Sequence, residues 1–292
     1  MTHLFAYIFS NDPLNKSMKP FVKWVGGKQK MLNVLSEYWP DDFDTYYEPF
    51  LGGGAVFMHF NPQKARLSDV NVTLMNSYHC VATKLKPLLA LLAKYEKNNT
   101  EAAYIKLRKQ FNKLRQDGPR NILKETALFI YLNKVGYRGL YRENLQGNFN
   151  VAYGHYKTVE LRNSPVYDCW EQRLRNHDVT LSCHGFETAL QEAQSNDFVF
   201  VDPPYQGQFS QYSKHGFSDD DHVRLANLLK RLHAKGVKFM CCNSNTDFIQ
   251  NLYHEFEIVP LSITKAVHRR KGVSTATPTH NEVIIMNYTI AH

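Results

Sequence analysis

The chain has 292 residues, 43% hydrophobic and 21% charged, enough for one large domain or two modest ones and unlike a disordered or low-complexity chain. Its 35 Lys and Arg against 27 Asp and Glu leave a net charge of +8, which favours a polyanionic partner. No apolar run approaches the roughly 18 residues of a membrane span, and five cysteines without a CxxC pair or a zinc-like His spacing predict reduced thiols, no metal site and a cytoplasmic protein.

Residues 1–18 read as an N-terminal arm ending in a turn-rich stretch, with neither the basic region nor the cleavage site of a signal peptide. Residues 20–28 form an extended piece entering a glycine turn, and a helical pattern follows through Met31, Leu32, Val34, Leu35 and Tyr38. Residues 46–50 read as a strand end, Leu51-Gly52-Gly53-Gly54 as a tight turn and Ala55 onward as a helix start. A short strand at 65–69 then ends in an acid, Asp69. This order of strand, turn, helix, strand and acid is that of a doubly wound nucleotide-binding sheet.

Between about 71 and 194 helical patterning dominates, notably at 100–114 and 121–133, followed by a turn-rich aromatic stretch at 136–157. Residues 97–175 hold 15 Lys and Arg against 7 Asp and Glu, an excess equal to that of the whole chain. A solvated helical face would carry the same charges, but the concentration suits a partner-binding insert. The α/β rhythm returns with strands at 198–201, 237–242, 256–260 and 282–288, helices at 219–234 and 247–254, and a basic loop at 265–271. The expected organisation is an arm (1–18), a catalytic domain in two pieces (19–75 and 190–292) and an inserted recognition domain (76–189).

Three constellations carry chemistry. Glycines at 52–54 allow backbone conformations and close approach that side chains would block, and Asp69, at a strand end, can bind ribose hydroxyls. No Walker lysine follows, so the pattern suits a cofactor read by adenine, ribose and a charged tail rather than by phosphates. The segment Lys23-Trp24-Val25-Gly26-Gly27-Lys28 can line the same pocket. The third is Asp202-Pro203-Pro204-Tyr205, where two prolines end a buried strand. An aromatic amine is a poor nucleophile because its lone pair is delocalised. The Asp202 carboxylate and Pro203 carbonyl can each accept one of its N–H bonds, localising that pair for in-line attack on an electrophilic methyl, and Tyr205 offers a stacking face.

The blocks KWVGGK (23–28), YEPFLGGGAVF (47–57), LSDVN (67–71), YLNKVGYRGLYREN (131–144), GNFNVAYGHYK (147–157) and VDPPY (201–205) stand in this order. In sequence and spacing the chain resembles the Dam-like, D12-class (α-group) DNA adenine-N6 methyltransferases over residues 19–288. The resemblance implies an α/β, Rossmann-like methyltransferase sheet with a mainly helical DNA-recognition insert. It also implies S-adenosylmethionine as methyl donor, double-stranded DNA as partner, and an enzyme that acts on a flipped adenine, within GATC, as a monomer or weak dimer on DNA. By motif match, Trp24, Lys28, Glu48, Phe50, Gly52, Gly54, Asp69 and Asp202 would form the cofactor site, and Asp202, Pro203, Pro204 and Tyr205 would hold the adenine.

Tyr137, Arg138, Leu140, Arg142, Asn144, Tyr156 and Lys157 would meet DNA. Arg142 suits bidentate contact with guanine, Leu140 a thymine methyl and Tyr137 insertion into the base stack. Arg138 follows Tyr137 where the family pattern has a small polar residue, and His155 stands where an arginine is frequent. Competing readings are a cytosine-N4 methyltransferase, in which Ser more often replaces the motif's acid, an RNA methyltransferase, and a catalytically silent DNA-binding relative.

Overall fold

Among the described residues seven strands form one sheet: β1 (Tyr46–Glu48), β2 (Ala65–Ser68), β3 (Val179–Ser182), β4 (Phe198–Val201), β5 (Lys238–Ser244), β6 (Glu257–Leu261) and β7 (Glu282–Met286), in the order β3-β2-β1-β4-β5-β7-β6. The first five run parallel and β7 runs antiparallel to both of its neighbours. The computed structural model describes residues 18–97, 99–116, 120–207, 216–261 and 282–290. The expected N-terminal arm, but for residue 18, and the basic loop at 265–271 lie outside these.

The apolar run that suggested a buried strand is β4, all four of whose side chains are fully buried. Alternate residues serve opposite faces. Phe198 and Phe200 join Tyr46, Met240, Cys242 and Ile284 in one apolar layer, while Val199 and Val201 join Tyr47, Phe239, Cys241 and Ile285 in the other. Chain order reverses between β1 and β4, so loops leaving their carboxyl ends diverge and leave a crevice.

The helices are α1 (Leu32–Glu37), α2 (Ala55–Phe60), α3 (Val72–Glu96), α4 (Glu101–Gln116), α5 (Ile122–Val135), α6 (Ser164–Leu174), α7 (Phe186–Ala189), α8 (Asp219–Ala234) and α9 (Asp247–Leu252). Side chains of α3, α5 and α6 extend the first apolar layer, and those of α8 and α9 the second. Helix α8 starts at a capping box between Ser218 and Asp221, with three aspartates in its first turn to meet the helix dipole. Helix α3 bends where Pro87 removes a backbone donor, with Lys84 outside helical geometry.

Residues 179–182 lie inside the range expected for the insert, yet as β3 they pair with β2 along its whole length. Helix α6 likewise packs in the first apolar layer on the sheet. A Cβ on Gly54 would come within 2.5 Å of the Trp170 indole, and Trp170 Nε1 donates to the Lys19 carbonyl at 2.8 Å. A four-residue edge strand with partly exposed side chains gives little periodic signal, which hid β3 in the sequence.

The aromatic stretch forms a hairpin closed by bridges between Gly136 and Tyr153 and between Glu143 and Phe149. Helix α4 is laced to its returning strand by side chains. Arg108 donates to the Val151 carbonyl at 2.7 Å and Arg115 to the Gly147 carbonyl at 3.1 Å. Asn112 both donates to the Phe149 carbonyl at 3.0 Å and accepts from the Phe149 N–H at 2.9 Å. One asparagine thus supplies the pairing that a further strand would have given. Asn112→Ala is expected to destabilise the protein by about 2 kcal/mol, the loss of two partly buried hydrogen bonds. Hydrogen exchange should show the hairpin amides opening before those of β4.

Candidate functional site

The site forms where β1 and β4 end. After β1 the chain turns at Leu51–Gly54, with Gly52 at φ 50° and Gly54 at φ 67°, both in the left-handed region that favours glycine. A Cβ on Gly52 would meet Trp24 Cδ1 at 2.8 Å, so the indole lies directly on the bare backbone. The Tyr78 hydroxyl donates to the Gly52 carbonyl at 2.8 Å from below. Asp69, just past β2, accepts from Gly52 N at 3.0 Å through one oxygen and from Asn71 N at 2.9 Å through the other. Burial raises its carboxyl above the ordinary range, and these two amides offset part of that rise. Asp69 therefore holds the glycine turn, and its remaining lone pairs stay available to a diol.

Glu48, the last residue of β1, is buried and accepts from the Tyr46 hydroxyl at 2.8 Å. Desolvation pushes its carboxyl up to about 8, the Tyr46 bond opposes that, and the nearby Asp202 charge adds to it. Phe50 packs against Phe186 and Phe217, each 5.8 Å away between ring centres. Val70, beside Asp69, is an exposed apolar side chain. The bare glycine turn, the acid at the neighbouring strand end and these apolar faces fit an adenosine-bearing cofactor.

Asp202 follows β4 directly. Its Oδ1 lies 2.5 Å from Lys28 Nζ, in a pair whose side chains are 6% (Lys28) and 17% (Asp202) exposed. That oxygen is shut off from solvent, and the Lys28 ammonium is the charge that faces it. Burial pushes the Asp202 carboxyl up, Lys28 opposes the rise and Glu282 adds to it. Burial would lower the Lys28 ammonium, but Asp202 holds it above the ordinary lysine range. Lys28 Nζ also donates to the Gly26 carbonyl at 3.1 Å and sits 4.8 Å from the centre of the Tyr205 ring.

Residues missed in the sequence hold this turn in place. The Tyr205 hydroxyl donates to Glu282 at 3.1 Å. Gln206 N donates to Asn243 Oδ1 at 3.1 Å, and Ser244 Oγ donates to the Gln206 carbonyl at 2.8 Å. Asn243 and Ser244 close β5, and Glu282 opens β7, whose antiparallel course brings it to the same sheet edge. Polar residues ending an apolar strand were the available signal for Asn243 and Ser244. Nothing local marked Glu282.

The proposed DNA-facing residues lie on and beside the hairpin. Tyr137 is 47% exposed, with the Arg138 guanidinium 5.2 Å from its ring centre. Leu140 is half-buried against the core. Arg142 Nε donates to Asn150 Oδ1 at 2.8 Å across the hairpin. Asn144 Oδ1 accepts from Gln146 N and Asn148 N, which commits that oxygen to the hairpin turn. Tyr156 packs under Lys23 Nζ, 4.3 Å from its ring centre, and Lys157 is exposed. The glycine turn and the Asp202 turn leave neighbouring strands and share the segment at 23–28, which the hairpin touches where Trp24 stacks on Tyr141.

The family described as D12 class N6 adenine-specific DNA methyltransferase matches residues 24–267. The chain is similar to the type II methyltransferase M1.LlaDCHI of Lactococcus lactis subsp. cremoris, 33% identical over 277 residues, covering 93% of this chain and 96% of that one. It is 35% identical over 298 residues to the type II methyltransferase M.MjaIII of Methanocaldococcus jannaschii, covering 93% and 99%. A DNA adenine methylase of Vibrio cholerae is 27% identical over 262 residues, covering 87% and 91%.

Glu48 generates a pH prediction. Its folded carboxyl holds a proton up to about 8, against 4.5 for the ordinary group. Between those values the folded state binds more protons than the unfolded one, so this group's contribution falls as pH rises. Glu48→Gln should flatten the decline in thermal stability across that window and raise the melting temperature most near pH 8. An unchanged pH profile by calorimetry would place the proton elsewhere.

Proposed function

The chain belongs to the D12 class N6 adenine-specific DNA methyltransferase family, and from that premise we propose that it methylates N6 of an adenine flipped out of duplex DNA, within GATC. The observation that carries this reading is the buried Asp202 carboxylate, held by Lys28 directly after β4, where the chain order of the sheet reverses between β1 and β4. S-adenosylmethionine supplies the electrophilic methyl group. Trp24, Glu48, Phe50, Gly52, Gly54 and Asp69 would hold that donor, with Lys28 keeping the adjoining charge of Asp202 balanced.

The chain's own residues then prepare the amine. The Asp202 carboxylate and the Pro203 carbonyl accept its two N–H bonds, which turns the lone pair out of conjugation. Pro204 stiffens the turn, and the Tyr205 ring, held by Glu282, stacks on the base. As the nitrogen bonds to the methyl carbon, that carbon's bond to sulfur would break with its electron pair left on sulfur, and the surplus proton would pass to Asp202, whose carboxyl burial already holds above the ordinary acid range. Residues of the hairpin read the site, with Arg142 contacting guanine. Arg138, Tyr156 and Lys157 contact the backbone or flanking steps, on an insert narrowed by the return of α6 and β3 to the sheet. The protein works as a monomer or weak dimer on DNA in the cytoplasm.

Labelled S-adenosylmethionine, duplexes with and without GATC, and nucleoside digestion test this directly. N6-methyladenine is expected on the GATC duplex. N4-methylcytosine, or no product from folded protein, would sink the reading. Asp202→Ala should abolish transfer while duplex binding persists. Arg142→Ala should weaken discrimination at the guanine by about 1–3 kcal/mol, measured as kcat/KM on single-base variants of the duplex.

A further inference from the structure

We propose that Asn133 is the positioning residue that registers the DNA-reading hairpin to the methyl-transfer crevice. The proposal rests on the reading of the hairpin given above. Asn133 lies in the last turn of α5 and is fully buried. Its side-chain amide behaves as a peptide unit toward two other segments. Oδ1 accepts from Lys23 N at 2.7 Å, and Nδ2 donates to the Lys23 carbonyl at 2.7 Å and to the Gly139 carbonyl at 3.1 Å.

Both segments lead to sites. Gly139 closes the turn that carries Tyr137 and Arg138, and Arg142 follows three residues later. Lys23 opens the segment that carries Trp24 onto the bare Gly52 backbone and Lys28 onto Asp202. Hairpin turn and segment touch so closely that a Cβ on Gly139 would fall 2.3 Å from Lys23 Cδ. A second contact joins the same two parts, Trp24 stacking on Tyr141 with ring centres 5.7 Å apart and planes at 29°. Lys23 Nζ adds a bond to the Lys134 carbonyl at 3.2 Å. Movement of the hairpin on DNA is therefore passed to the indole over the cofactor turn and to the lysine on the catalytic acid.

A link of this kind is a coupling free energy, and it must be reciprocal. The test is the dissociation constant of S-adenosylhomocysteine, by calorimetry, with and without a GATC duplex. In the intact protein the duplex is expected to change it about 5-fold or more. Asn133→Asp keeps the side chain's size but sets an oxygen against the carbonyls of Lys23 and Gly139. Gly139→Ala pushes the turn away from Lys23 with Asn133 intact.

Both variants should bring the ratio of the two constants close to one, at temperatures where circular dichroism shows each folded. A residue that only stabilises the fold would lower the melting temperature and leave the ratio alone. A ratio retained in either folded variant, or a ratio of one in the intact protein, overturns the proposal. Coupling that is present without any adenine methylation would instead remove the functional reading and leave the link standing.

Discussion

A charged group at the end of a strand buried on both faces must find a partner or lose its charge, and Asp202 finds Lys28. Desolvation makes such a pair a weak source of stability, and removing one member costs more than never having had either. What the pair secures is place. Asp202 cannot move because β4 is packed on both faces, and Lys28 cannot move far because Phe21 and Val22, a few residues before it, are buried in the same apolar layer as Tyr78 and Trp170. The segment at 23–28 is thereby stretched between the core and Asp202, and Trp24 is laid over the glycine turn on the way.

The helices that carry the hairpin share one apolar layer with the sheet. The apolar cluster on one face of the sheet continues without a break through α3 and α5 into Tyr104, Phe111 and Phe149. Polar side chains of α4 then hold the hairpin at its outer edge. The sheet therefore supplies a rigid floor for the chemistry, and the hairpin stands on a layer that shares its core. Exposed residues concentrate at the hairpin tip, where Leu145 is 86% exposed.

Two residues on and beside the hairpin have strained backbone. Arg138 has φ 55° and His155 φ 54°, in the left-handed region where a side chain other than Asn or Asp costs ~1–2 kcal/mol. A small polar residue at 138 would meet that geometry at less cost. In this chain the Arg138 guanidinium resting on the Tyr137 ring returns part of the cost. Strain kept beside proposed DNA contacts is consistent with a turn shaped for binding.

The sequence by itself determined the doubly wound sheet, the position of β4, the glycine turn, Asp69 and the Asp202–Tyr205 turn. All of these rest on short-range signals, namely strand periodicity, proline stops and glycine permissiveness. Lys28 and Trp24 were legible only as members of a motif, because a lysine and a tryptophan have surface and core explanations equally to hand. The tertiary structure alone decided that Asn133, 110 residues away in sequence, grips Lys23. It likewise decided that Glu282 holds Tyr205, that Asn243 and Ser244 anchor Gln206, and that β3 returns to the sheet. Those partners come from strands and helices distant in the chain, and a polar side chain's role is fixed by what folding sets opposite it.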